Sequence, residues 1–131
     1  MLFASLDTLA SGLTAQRLRM DVITNNLANA QTTATPGGGP FRAQLVELAS
    51  IPLQPDGAGG VVVSGIATST APFPTQYDPS SPQANAQGEV LLSNVNPTAQ
   101  MVDLMAASRA YDANATAFGD VVKDEQQALQ I

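Results

Sequence analysis

The chain has 131 residues, of which 44% are apolar, 12% charged and 5% aromatic, and it carries a net charge of -6. That length suits one domain, and the composition is globular rather than disordered. The acidic balance, with Lys123 the single lysine, argues against nucleic acid or an anionic membrane as partner, and the absence of Cys and His removes disulfides, thiol chemistry, His-based triads and the usual zinc sites.

No apolar run approaches membrane-spanning length, so direct membrane insertion is not expected. The opening stretch MLFASLDTLASGL has no basic start and is interrupted by Asp7. It does not read as a cleavable signal. The charged fraction is about half the usual one. Two readings follow from that: a surface largely covered in the working state, or a soluble alanine-rich domain with a Ser/Thr/Gln surface.

Residues 1–35 read as an N-terminal unit dominated by one amphipathic helix over 2–31. Leu6, Leu9, Leu13, Gln16, Met20, Ile23, Leu27 and Ala30 fall at alternating three- and four-residue steps, a heptad seam with Gln16 as its polar entry. Gly12 weakens this helix by roughly 1 kcal/mol relative to alanine. Asn25, Asn26 and Asn29 are modest helix formers and mark its end, and TTATPGGGP closes it.

Residues 36–93 hold most of the glycines and prolines. The pattern predicts a small β-rich insert with strands at Phe41–Leu48, Val61–Ala67 and Gly88–Leu92. PLQPDGAGG and the long TAPFPTQYDPSSPQANAQG segment read as loops.

Residues 94–131 are helical again. Asn96 is placed to cap a helix over 97–129, Pro97 suits its first position, and Val95 occupies the staple site just before the cap. The predicted seam runs Met101, Leu104, Ser108, Tyr111, Ala115, Phe118, Val122, Glu125 and Leu129. A helix of about 30 residues is roughly 45 Å long, against a radius of gyration of about 14 Å for a compact chain of this size. The expected fold class is therefore mostly α with a small β-rich insert, with elongated antiparallel N- and C-terminal helices of coiled-coil type. Two helices alone leave their stripes half covered, so neighbouring subunits are expected to complete the core. The alternative is a monomeric hairpin folded over the insert.

No catalytic residue, metal site or cofactor is expected. Asp120, Asp124 and Glu125 read as a solvated helix face, and Asp103 and Asp112 have no pocket pattern around them. The glycine runs GAGGVVVSG and PGGGP lack the third glycine or the lysine that a phosphate cradle needs. The sequon-like Asn114-Ala-Thr116 lies inside the second helix.

SGLTAQRLRMDVITNNLANAQTT resembles the N-terminal signature of the flagellar axial proteins, the rod and hook family, centred on Asn26, Leu27, Ala28 and Asn29 and extended by Asn25 and Ala30. GEVLLSNVNPTAQMVDLMAASRAYDANATAF resembles the C-terminal signature of the same family, with Asn94, Val95, Asn96, Met101, Arg109, Tyr111, Ala113 and Asn114 as its marks. GPFRAQLVEL and the short insert fit its proximal-rod branch. The sequence departs from the pattern at Ser93, where proline is usual, and at Pro97.

The resemblance implies a non-enzymatic subunit of the proximal rod in the basal body, a drive shaft crossing the periplasm. It implies other rod proteins and neighbouring basal-body components as partners. Passage through the flagellar type III export apparatus, without a cleaved signal peptide, would deliver it. The alternatives are another rod subunit, such as proximal rod protein B, or a type III-secreted helical-hairpin binding protein.

Overall fold

The first apolar stripe forms α1, Leu2–Ala28, in the computed structural model, which describes residues 2–55 and 59–131. The helix stops three residues before the expected end. There Asn29 N–H donates to both Asn25 O (3.1 Å) and Asn26 O (3.2 Å), and Ala30 N–H to Leu27 O (3.3 Å). Such short-step bonds tighten a last turn and use up carbonyls that would otherwise be left open. The chain then reverses through Pro36–Gly39. Gly38 (φ 85°) and Gly39 (φ 76°) occupy the left-handed region there, which a side chain would disfavour. Phe41 N–H donating to Thr32 O (3.0 Å) fastens the reversal.

β1, Gln44–Pro52, pairs antiparallel with β2, Gly59–Thr68. The first strand starts three residues later than the pattern predicts and runs on to Pro52, which sits at the strand end where a missing N–H breaks no ladder. Residues 56–58 of the intervening loop, and with them the start of the glycine run at Gly57, lie outside the described residues. The register shifts between Glu47 and Leu48, leaving Ser64 as the extra residue of β2. Its hydroxyl donates to Glu47 O at 3.2 Å, which closes the bulge.

A second small sheet joins β3, Thr75–Tyr77, to β4, Glu89–Leu91. β4 lies within the predicted Gly88–Leu92 strand. β3 lies inside the segment read as a loop. It is three residues long and flanked by prolines, so no periodic signal could reveal it.

α2 spans Pro97–Leu129, the range expected. Asn96 caps it, its Oδ1 accepting from Ala99 N–H at 3.2 Å. Pro97 stands in the first turn, where its absent N–H costs nothing. Val95, 7% exposed, packs inward just ahead of the cap.

α1 carries the rest of the molecule. It packs on α2, on β1 and on β2. The β1–β2 hairpin lies along it, with Gln44 held at Asn26 and the Gly59–Val61 end held at Thr8 and Ser11. That span is about 25 Å of helix. At the second docking point Thr8 Oγ1 donates to Gly59 O (2.8 Å) and Val61 N–H donates to Ser11 Oγ (3.1 Å). Gly60 permits this approach, because a Cβ there would lie 2.8 Å from Ser11 Oγ and 2.6 Å from Leu53 Cδ1.

With two partners, the buried face of α1 is wide. Its most covered residues are Ala15, Val22, Ile23 and Asn26, and its exposed edge is the series from Phe3 through Asp7, Ala10 and Thr14 to Ala28. The stripe read from the sequence is one flank of this face. Ile23 is buried, while Leu6, Leu9, Leu13, Met20 and Leu27 are half-buried. On α2 the covered line runs through Gln100, Ala107 and Asn114 together with Leu104, Tyr111 and Phe118. Val122 is half-buried; Met101 (55% exposed) and Leu129 (82% exposed) face away.

The core is thin. Its buried apolar members are Ala15, Val22, Ile23, Ala43, Val90, Val95 and Ala107. The accessible surface is 8509 Å², whereas a compact monomer of 13.5 kDa exposes about 6,500 Å². The surplus of about 2,000 Å² exceeds the roughly 800 Å² that one partner contributes to a standard protein–protein interface. No helix among the described residues is long and apolar enough to cross a membrane.

Candidate assembly site

Where α1 ends, α2 begins and β1 departs, three segments meet at one side chain. Asn26 is fully buried and is the largest fully buried side chain among the described residues. Its Nδ2 donates to Gln44 O at 2.8 Å and to Gln100 Oε1 at 3.0 Å, and its Oδ1 accepts from Gln44 N–H at 2.9 Å. An amide supplies the donor–acceptor pair that an adjacent strand would offer, so Asn26 completes the outer edge of β1 at Gln44. Its second N–H reaches the first turn of α2. One residue thereby ties α1, the hairpin and α2 together without introducing charge.

The other asparagines build outward from this point. Asn25 Nδ2 donates to Gln44 Oε1 at 3.3 Å. Asn29 Nδ2 donates to Asn25 O (2.9 Å) and Asn25 Oδ1 (3.2 Å), and its own Oδ1 accepts from Thr32 Oγ1 (3.2 Å). Leu27 and Ala30 are half-buried and Ala28, the last helical residue, is exposed.

From the other terminus, Asn94 Oδ1 accepts from Ala43 N–H at 2.7 Å while its Nδ2 donates to Ala71 O at 3.0 Å. Asn94 therefore bridges the N–H of Ala43 to the carbonyl of Ala71, whereas Asn26 pairs with both backbone groups of Gln44. Arg42 helps hold the same crossing segment. Its guanidinium donates to Ser69 O and Ala71 O and sits 4.1 Å from the centre of the Phe73 ring, within cation–π range.

Ser93, which breaks the resemblance, is 4% exposed. Its hydroxyl donates to Phe41 O at 2.7 Å and accepts from Val95 N–H at 3.3 Å. A proline could do neither. The two terminal signatures thus converge on residues 41–44, which neither of the core runs contains. Asn25 and Asn26 reach Gln44 from the end of α1, and Ser93 and Asn94 reach Phe41 and Ala43 from the segment before α2. Sequence reasoning missed Gln44, Gln100 and the Phe41 carbonyl. Ser93 was visible only as a departure, with no sign of its role.

The C-terminal marks beyond the cap are distributed along α2. Asn114 is half-buried, and a Cβ on Gly12 would stand 2.8 Å from its Nδ2, so these helices approach closely at that level. Tyr111 is half-buried, whereas Met101 and Arg109 are exposed. A small groove of about 170 Å³ beside the corner is lined by Arg19, Val22, Ile23, Gln44, Leu45, Val46, Gln100 and Asp103. Among the described residues no group of His, Cys, Asp or Glu is arranged to hold a metal ion. The geometry offers a hydrogen-bonded joint and exposed apolar flanks, with no nucleophile or acid–base pair in its construction.

Known proteins are similar to this chain in sequence along most of its length. Residues 6–34 match the family model for the flagella basal body rod protein, and residues 86–131 match that for the C-terminal part of the flagellar basal body rod FlgEFG proteins. The flagellar basal-body rod protein FlgC of Borreliella burgdorferi is 42% identical over 99% of this chain and 97% of its own length. That of Bacillus subtilis is 42% identical over 98% of this chain and 97% of its own. The FlgC protein of Escherichia coli O6:H1 is 41% identical over 82% and 81%. The two family matches contain the two asparagine arms of the corner, and the relatives carry the likeness through the insert between them, so the chain belongs to the flagellar basal-body rod protein FlgC family.

Proposed function

We propose that the chain works as a structural subunit of the flagellar basal-body rod, at its proximal end, and that the Asn26 joint sets the angle at which its helices enter the assembly. As a member of this family the chain is a basal-body rod protein and a structural component of the flagellum. The observation that carries the finer reading is the joint itself: one fully buried amide bonded to β1 and to α2. Rod subunits transmit torque, which requires a fixed relation between segments that are each too thin to be rigid alone.

In this reading residues 1–35 and 94–131 supply an antiparallel pair of coiled-coil type for the axial core, and residues 36–93 supply the insert. Two contacts support the antiparallel pairing. Asn26, late in α1, meets Gln100, early in α2, and Gly12, nearer the start of α1, meets Asn114, farther along α2. The surplus of exposed surface supports partners. Other rod proteins and neighbouring basal-body components would cover the apolar side chains left open, including Met101, Val102 and Met105 on α2 and Leu45 and Ile66 on the hairpin. The flagellar export apparatus would deliver the chain without cleavage of a signal.

The test is a deletion complemented by a tagged copy. The deletion should give cells without rods, and the tagged chain should be recovered in basal bodies at the rod's inner end by electron microscopy. Normal rods in the deletion strain would refute the proposal.

A further inference from the structure

We propose that residues 75–91 form a rigid arm hinged at its root, residues 69–74 and 92–94, and that Arg42 is the pin that holds the arm in place. The arm comprises β3, β4 and the turn between them. Neither strand packs on α1, α2, β1 or β2; each meets only the other. The arm's one buried apolar side chain is Val90. A unit with so little apolar contact to its surroundings belongs to the low-stability, movable part of a fold.

Within itself the arm is well tied. Asp78 N–H donates to Gly88 O and Asn85 N–H to Glu89 O, both at 2.9 Å. Asn85 Oδ1 accepts from Gln87 N–H and from Glu89 N–H, again at 2.9 Å. Gly88 (φ 78°) turns the chain into β4 against the Tyr77 ring, where a Cβ would stand 2.9 Å from a ring carbon. These contacts link one part of the arm to another, so it moves as a body.

The root carries the ties to the rest of the chain. Leu92 N–H donates to Pro74 O at 2.8 Å and joins the incoming and outgoing segments. The Arg42 guanidinium donates to Ser69 O (3.2 Å) and Ala71 O (3.3 Å) and lies over the Phe73 ring. Asn94 shares the Ala71 carbonyl. Two clefts separate the arm and its root from the turn after α1. One, of about 360 Å³, lies between Thr33, Ala34 and Pro40 and the arm's Gln83 and Glu89. The other, of about 480 Å³, lies between Ala30 and Gln31 and the root and arm residues Pro74, Gln76 and Leu92. The arm therefore has room to swing toward that turn, and its root stands at element ends, where hinges absorb such motion. Fully buried Asn26 fixes the helices and β1, whereas exposed Arg42 fixes the arm. One chain thus holds a rigid joint and a separate adjustable limb.

The chain lacks cysteine, so paired nitroxide labels can be placed cleanly and their distance distributions read by pulsed electron paramagnetic resonance on the purified full chain. Thr24→Cys with Gln87→Cys spans the root. Thr24→Cys with Ser50→Cys lies within the jointed body. The 24–87 distribution should be about twofold broader than the 24–50 distribution. Arg42→Ala should broaden 24–87 by about twofold again and leave 24–50 unchanged. Phe73→Leu, which keeps both carbonyl bonds, should broaden 24–87 alone and by less; it carries the same test if Arg42→Ala loses its fold. A 24–87 distribution as narrow as 24–50 in the unsubstituted background would overturn the hinge. An unchanged 24–87 distribution in both variants, or equal broadening of the two pairs, would overturn the pin. The measurement uses the isolated chain, so its outcome is independent of the rod reading.

Discussion

Replacing Asn26 with alanine removes three hydrogen bonds at once, two through Nδ2 and one through Oδ1. Each ordinary bond contributes about 1 kcal/mol net, and a buried group left unpaired costs about 1–3 kcal/mol. Gln100 is half-buried, so its side chain can turn to water. The Gln44 N–H and carbonyl have less freedom, because the strand holds them and Asn26 is fully buried against them. Water entering the vacated space offsets part of the loss. The expected destabilisation is about 2–4 kcal/mol, a large part of the 5–15 kcal/mol typical of a domain. Urea unfolding of the purified chain, followed by circular dichroism, measures it. The location matters as much as the size. Amide exchange should quicken along β1, Gln44–Pro52, more than in the middle of α2. A double-mutant cycle with Gln100→Ala isolates the bond to α2, with an expected coupling of about 0.5–1 kcal/mol. A loss below about 0.5 kcal/mol, or uniform quickening of exchange, would refute the view that one amide joins the three segments.

Asn96→Ala should lower stability by about 1 kcal/mol and reduce completed rods counted by electron microscopy, while Asn96→Asp keeps the bond to Ala99 N–H and should lose less; equal damage by both would show that the amide donor is needed elsewhere. Leu27→Asp places a charge on a half-buried position at the corner, so secretion should persist while rods fail to form, and normal motility would remove Leu27 from the core. Gly60→Ala forces a Cβ against Ser11 and Leu53, with an expected cost of about 1–3 kcal/mol in thermal unfolding. In the dilute chain, amide exchange should be fastest in the last turns of α2, where residues 126–130 are all exposed, and slowest around Ala107; protection there equal to that at the corner would contradict the need for neighbouring subunits.

Much of the architecture was open to reading from local chemistry. Asn96 and Pro97 act within a few residues of each other, so the cap and first turn of α2 are legible in the local sequence. The asparagine run and the proline–glycine run ended α1 for equally local reasons. The absence of His and Cys removed whole classes of chemistry, and the two terminal signatures identified the family. The helical faces were another matter. Periodicity reports where apolar side chains recur along one helix, but burial depends on what lies against it. α1 is covered by α2 and by the hairpin together, so Ala15, Val22 and Asn26 became its centre and the leucine stripe its flank.

The corner shows the limit most sharply. Its asparagines are conspicuous in the sequence, yet the partners of Asn26 and Asn94 include the N–H and carbonyl of Gln44, the N–H of Ala43 and the carbonyl of Ala71. Backbone groups of that kind are present at every residue and carry no mark of sequence. Ser93 likewise finds the carbonyl of Phe41, 52 residues away. The chain encodes side chains that need both a donor and an acceptor; only tertiary folding, by bringing a strand edge to them, decides which backbone groups meet that need.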